Sequence, residues 1–225
     1  ATDRATDGSA DAGHIGLYGA YRWNEFYLAG VISFSQFQNK TTRTISGVGP
    51  SETMAGRFDS QEFGSRFEAG YRIASGSLNI TPFAAVQFVE IWQQRFTEAS
   101  MTAGGAPGVL GLTFPSVTAT SLPTFLGMQF DTKIAMFGGS LFAPYLRVSW
   151  VHEFNPDRSI GAYFNSVPGA SFVVDGPRVG SDSAKIDLGM NLAFNRQLAL
   201  FGNFNSEASS RSHSYAGQGG LRFVW

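Results

Sequence analysis

The sequence has no cysteine among its 225 residues. That excludes a disulfide framework and any thiolate metal site. Charge is the second shortage. Asp, Glu, Lys and Arg make up 15% of the chain, where a soluble globular domain carries about a quarter. The two signs nearly cancel to a formal net charge of −1, so there is neither a basic field for nucleic acid nor an acidic disordered tail. Long hydrophobic runs are missing too. The longest are only a few residues, such as Ile134 to Phe137, so no transmembrane helix is available. The residues from Ala1 onward lack the basic, apolar and small-residue succession of a signal peptide, which is absent, removed or outside this sequence.

What is abundant is aromatic and small: 14% aromatics led by 21 Phe, with 27 Gly. The periodic segments alternate every second residue, the strand period. In HIGLYGAYRW (14–23), Ile15, Leu17, Gly19, Tyr21 and Trp23 oppose Gly16, Tyr18, Ala20 and Arg22. The same division holds in SRFEAGYRI (65–73), ITPFAAVQF (80–88), PYLRVSWVHEF (144–154) and AKIDLGMNLAFN (184–195). Four more segments, EFYLAGVISF (25–34), FLGMQFD (125–131), LALFGNFN (198–205) and YAGQGGLRFVW (215–225), bring the expected strands to nine.

One face of each strand is bulky and apolar, with Tyr, Trp or Phe towards the ends. The other mixes Gly, Ala, Ser, Gln and Asn with occasional charge. A soluble sheet shows water a face of Thr, Lys and Glu. An apolar band between aromatic girdles, backed by small and polar residues, suits a strand between lipid and a wet interior. Link lengths agree. WNE (23–25), ASGS (74–77), FGGS (137–140) and NRQ (195–197) are short. They alternate with long links around 38–62, 97–123 and 155–183, and with the polar SEASSRSH (206–213). Outer-membrane barrels have short periplasmic turns and longer outside loops.

The expected fold is an all-β, antiparallel, up-and-down transmembrane barrel, since an open sheet edge cannot stand in lipid. Bacterial single-chain barrels have even strand numbers, so nine implies an odd number missing upstream. Residues 1–13 read as a polar outside-loop remnant and 14–225 as the barrel domain. The C-terminus falls on the short-turn, periplasmic side.

Inside such a barrel Arg66, Glu68, Arg72, Arg147, Glu153, Lys185, Asp187, Asn191 and Arg222 would meet. An Arg facing lipid at mid-depth costs about 2–4 kcal/mol, which places these residues in the lumen. They read either as a polar pore around a passing or plugging segment, or as an ion-pair network that rigidifies the wall. Glu68, Glu153 and Asp187 have no partner in a defined catalytic role. His14, His152 and His213 are too scattered for a zinc site, and GGAPGVLG (104–111) has no strand–helix context and reads as loop. No catalytic residue, cofactor or metal is expected.

With its strands laid out, the chain resembles the autotransporter β-domain family of outer-membrane translocators (type V secretion). FYLAGVISF (26–34), FEAGYRI (67–73), TPFAAVQF (81–88), APYLRVSWVHEF (143–154), DSAKIDLGMNLAF (182–194), LALFGNFNSE (198–207) and YAGQGGLRFVW (215–225) carry the likeness by their order and spacing. The resemblance implies a twelve-stranded barrel threaded by an N-terminal helix, with a secreted passenger upstream. Matched to it, this sequence corresponds to strands four to twelve. The resemblance also implies partners: outer-membrane lipid, the machinery that assembles barrels, and the protein's own N-terminal passenger. That machinery reads a terminal-strand pattern, filled here by Gln218, Gly220, Phe223 and Trp225, with Trp where Phe is commoner. The implied function is to anchor and export a passenger. The alternatives are a passenger-less porin or adhesin barrel, and a soluble β-sandwich or lectin.

Overall fold

The computed structural model describes residues 5–47, 49–167, 169–176 and 180–224. Nine strands form one antiparallel sheet in chain order: Ala5–Trp23 (β1), Phe26–Ile45 (β2), Glu52–Tyr71 (β3), Leu78–Gln93 (β4), Pro123–Thr132 (β5), Leu141–Glu153 (β6), Asp182–Ala193 (β7), Leu198–Ser209 (β8) and His213–Phe223 (β9). The path runs from β1 to β9, and among the described residues these two do not pair with each other. The short links are where the sequence places them. Asn24 turns β1 into β2 at φ 52°, a left-handed conformation Asn tolerates, and Gly76 does the same before β4.

The registers fix the strand tilt. Following paired residues from Arg22 leads through Tyr27, Gly70, Phe83, Gly127, Ser149, Lys185 and Glu207 to Ser214. Arg22 is next to the end of β1, whereas Ser214 is next to the start of β9. With the short turns level, the slip is about eight residues over eight pairings. At ~3.3 Å per residue and ~4.8 Å per strand, that is a tilt of roughly 35°, the range of closed barrels.

The sheet is curled. Arg147 on β6 reaches Glu68 on β3 at 2.8 Å, although β4 and β5 lie between. A flat sheet would hold those strands about 14 Å apart. The concave face buries Phe83, Ala85, Phe125 and Val151 as one cluster. The convex face exposes Leu17, Leu28, Phe67, Leu126, Trp150, Ile186 and Leu221 in an apolar belt. A belt of that extent has no place on a soluble monomer and matches the lipid-facing band of a membrane barrel.

One packing unit recurs along the concave face. Tyr27, Phe83, Tyr145 and Phe201 are each paired directly with a glycine on the next strand: Gly70, Gly127, Gly189 and Gly220. In each case the ring lies over the glycine, where a Cβ would collide with it. An added Cβ would sit 2.7 Å from Phe83 Cζ at Gly127 and 2.9 Å from Phe201 Cζ at Gly220. Gly is required here for close approach, not for turning.

Two expectations change. Residues 5–13 continue β1 as strand, Ala5 opposite Thr44 and Gly13 opposite Gln36, and are not loop. The expected long loops are also largely strand: β2 and β3 pair from Ile45 and Glu52 downward, leaving only a short connection. The apolar alternation stops at the lipid boundary, but backbone amides still need partners above it, and the polar segment pairs to supply them. Further out, Ala99–Thr102 pairs with β3, Val117–Ser121 pairs with β4, and Phe96–Thr97, Leu112–Phe114, Ser159–Phe164 and Ser171–Asp175 form a second, four-stranded sheet.

Candidate functional site

The concave face presents its charges at the level of the buried cluster. Glu68 is the hub. Its Oε1 accepts from the Tyr27 hydroxyl (2.7 Å), and its Oε2 accepts from Arg66 (3.0 Å) and Arg147 (2.8 Å). The two guanidiniums also lie over aromatic rings, Arg66 4.0 Å from the centroid of Phe125 and Arg147 3.9 Å from that of Phe83. Lys185 stands 5.8 Å from the Phe125 ring and 3.9 Å from Asp187. Beside these groups is a cavity of about 430 Å³, bordered across the curl by Tyr145, Asn203 and Gln218. Three cations against two carboxylates leave its wall net positive, with aromatic faces as the floor. Such a surface offers hydrogen-bond donors and aromatic faces to acceptor-rich groups.

The structure brings Arg66, Glu68 and Arg147 together, with Lys185 and Asp187 next to them. Three other expected members are elsewhere. Arg72 lies just past β3 and pairs with Asp131 at the short-turn end (2.9 Å), where Asn79 and Gln129 also hold Asp131. Glu153, at the outer end of β6, accepts from the Leu122 and Asn155 amides (2.9 and 2.8 Å) and from the Ser121 hydroxyl. It organises loops and stands apart from the ion network, because at that height the neighbouring backbone turns and leaves donors unpaired. Arg222 is exposed, 6.0 Å from the Phe201 ring. Asn191 shares the concave face of β7, opposite Phe201. Of the terminal-strand residues, Gln218 pairs with Asn203, Gly220 accommodates Phe201, and Phe223 is exposed on the convex side. Trp225 lies outside the described residues.

Sequence reasoning set Phe83 on the polar face without a role and gave none to Tyr27, Phe125, Asp131 or Val151. The aromatic residues were readable as a break in the small-residue face, since Phe83 falls in phase with Thr81 and Gln87.

Above the belt, two buried carboxylates tie the outer segments to the wall. Glu98 takes a bidentate contact from Arg43 (2.9 and 2.7 Å) and the amide of Leu112 (3.0 Å). Glu52 accepts from the amides of Val109 and Leu110 and from the Ser100 hydroxyl (2.9, 2.9 and 2.8 Å). The Leu110 amide, then the Ser100 hydroxyl, hold the Glu52 carboxyl below the ordinary carboxylate range. The loop 104–111 is therefore fixed by an acid at the start of β3. Phe96 stacks between Phe58 (4.2 Å) and Phe114 (4.6 Å), above Gly56.

The family model described as the autotransporter beta-domain matches residues 1–205. The chain belongs to the autotransporter beta-domain family. Two curated relatives of this beta-domain are extracellular serine proteases of Serratia marcescens. One is 23% identical over 224 residues and the other 22% over 213, covering 96% and 94% of this chain. The chain spans about a fifth of the length of these relatives, 20% of each. Among solved structures, the translocator domain of the autotransporter NalP from Neisseria meningitidis matches with a TM-score of 0.66 at 15% identity. That match covers 96% of this chain and 68% of the other. At such identity the likeness bears on the fold alone. Family and fold together make this autotransporter beta-domain an integral β-barrel domain of the bacterial outer membrane, of the translocator type.

Proposed function

We propose that the beta-domain anchors its own polypeptide in the outer membrane and gives an N-terminal passenger a polar path to the cell surface. The observation that carries this reading is the two-faced curl: an apolar convex belt, against a concave face with the Glu68 hub, three cations and a cavity of about 430 Å³. The role is non-enzymatic. It needs binding to lipid outside and weak, exchangeable contacts inside. The protease activity named for the Serratia relatives belongs to those proteins.

The open edges of β1 and β9 would each lose several kcal/mol per unpaired amide in lipid. Closure therefore requires further strands, and three more, upstream, would complete the twelve that the resemblance implies. The C-terminus then lies on the periplasmic side, and barrel-assembly machinery reads Gln218, Gly220, Phe223 and Trp225. Arg66, Arg147, Lys185 and Asp187 line the path, with Glu68 bridging the two arginines. The experiment is to produce the full-length polypeptide in cells with an outer membrane and to replace Phe223 or Trp225 with Asp. Heat-modifiable barrel and surface-exposed passenger are expected to fall together. Undiminished barrel in both variants would defeat the signal reading. A barrel that conducts small solutes and displays no polypeptide would point to a porin instead.

A further inference from the structure

The wall of the sheet is uneven in height. β1 to β3 have 19, 20 and 20 residues, and β4 to β7 are carried further by the second sheet. By contrast β8 and β9 have 12 and 11 residues. The tall part ends on Ser171–Asp175, the last strand of the second sheet. Among the described residues it pairs on one side only, with Ser159–Phe164. The ladder is bracketed by bonds from the Phe164 amide to the Ala170 carbonyl (3.2 Å) and from the Gly176 amide to the Arg158 carbonyl (2.7 Å). Bonded and non-bonded pairs alternate in an antiparallel ladder. The backbones of Phe172 and Val174 therefore bond inward, and the N–H and C=O of Val173 and Asp175 point to the open side. All five residues are exposed, Val173 at 70%. Ser-Phe-Val-Val-Asp is strand-forming and contains neither the proline nor the lysine that commonly blunts an edge.

We propose that this edge is a pairing site for an extended segment of the same polypeptide as it emerges on the outer side, taken up as an added strand. The proposal rests on the translocator reading above. Position selects the occupant: the edge borders the low side of the wall, above β8 and β9, where the way out of the concave face is shortest. A chain leaving there is extended and carries unpaired amides past a strand with unpaired amides of its own. Main-chain bonds supply the affinity in such strand addition and depend little on sequence, which suits a segment in transit. Alternate side chains of the incoming strand would rest on Phe172 and Val174 or on Val173.

The test uses the full-length polypeptide in cells with an outer membrane, carrying a photoreactive residue in place of Val173 or, as control, Pro50, exposed in the link between the tall strands β2 and β3. Irradiation during export is expected to join position 173 to the exported segment and to give no adduct from position 50. Val173→Pro removes the outward amide and spares the bonded pairs at 172 and 174. It should slow the appearance of the protease-resistant surface segment several-fold, whereas Val173→Ala should not. Adducts between two copies of the chain overturn the proposal, as does a missing adduct with a normal export rate in Val173→Pro. The unmodified protein is followed in parallel by surface proteolysis. If it displays no segment at all, the translocator reading falls and the proposal with it; normal display without pairing at position 173 removes the proposal alone.

Discussion

Replacing Gly70 with Ala tests how the wall and the charged hub depend on each other. The new Cβ would lie 2.7 Å from Cζ of Tyr27, well inside van der Waals contact. The ring cannot stay, and when it moves its hydroxyl leaves Glu68, to which it now donates at 2.7 Å. Overpacking costs about 1–3 kcal/mol. A lost hydrogen bond to a charged group costs about 1.5–3 kcal/mol. The backbone entropy recovered by removing a glycine returns only about 0.5–1 kcal/mol. The expected net loss is about 1.5–5.5 kcal/mol. It should appear as a lower urea midpoint for loss of heat-modifiable mobility in the full-length protein in detergent. Gly19→Ala is the control, because a Cβ there meets nothing within 4 Å. Tyr27→Leu in the Gly70→Ala background should recover part of the loss, a coupling that a double-mutant cycle reads directly. Equal midpoints for Gly70→Ala and Gly19→Ala, or strict additivity with Tyr27→Leu, would refute the reasoning.

Other expectations follow from the same geometry. Glu68→Gln leaves Arg66 and Arg147 without their shared carboxylate, so the barrel should be less stable and single-channel currents more anion-selective; unchanged selectivity would show that these cations do not line the path. Because the folded pKa of Glu52 is depressed, its contribution is present at neutral pH, above the unfolded carboxylate value, and is lost as pH falls through the lower folded value. Protection of the Val109 and Leu110 amides, taken as exchange relative to the intrinsic rate at each pH, should therefore fall only in acid, after other carboxylates have begun to protonate. Ile186→Arg puts a cation on the convex belt and should cost about 2–4 kcal/mol, whereas Asn203→Arg, on the concave side, should leave assembly largely intact. Comparable assembly yields for both would contradict the assigned faces.

Much of this architecture was legible because strand phase survives in sequence. Ile186, Leu188 and Met190 alternate with Lys185, Asp187 and Gly189, and the sheet puts them on opposite faces. The hub was legible in part for the same reason: Arg66, Glu68 and Arg147 are in phase. What stayed hidden depended on distance through space. Phe83, Phe125 and Val151 are apolar in the polar phase, and only the curl explains why that is favourable: it gathers them beneath Arg66 and Arg147. Glu153 is in phase with Arg147, yet its height puts it among loop amides. Strand ends differ at residues 5–13 and 38–62 because alternation marks where lipid stops, not where backbone pairing stops. The hold of Glu52 on the loop 104–111 joins residues more than fifty apart and leaves no local signal.

The absence of cysteine from these 225 residues makes the central claim directly measurable, since an introduced thiol is the only one in the beta-domain. Single cysteines at the adjacent pairs Val86 and Gln87, and Phe204 and Asn205, should be treated with a charged, water-soluble thiol reagent. The full-length protein should be in its native outer membrane. Labelling is predicted at 87 and 205 and protection at 86 and 204, because the concave face is wet and the convex face is in lipid. Equal labelling within each pair, or the reverse pattern, would contradict it.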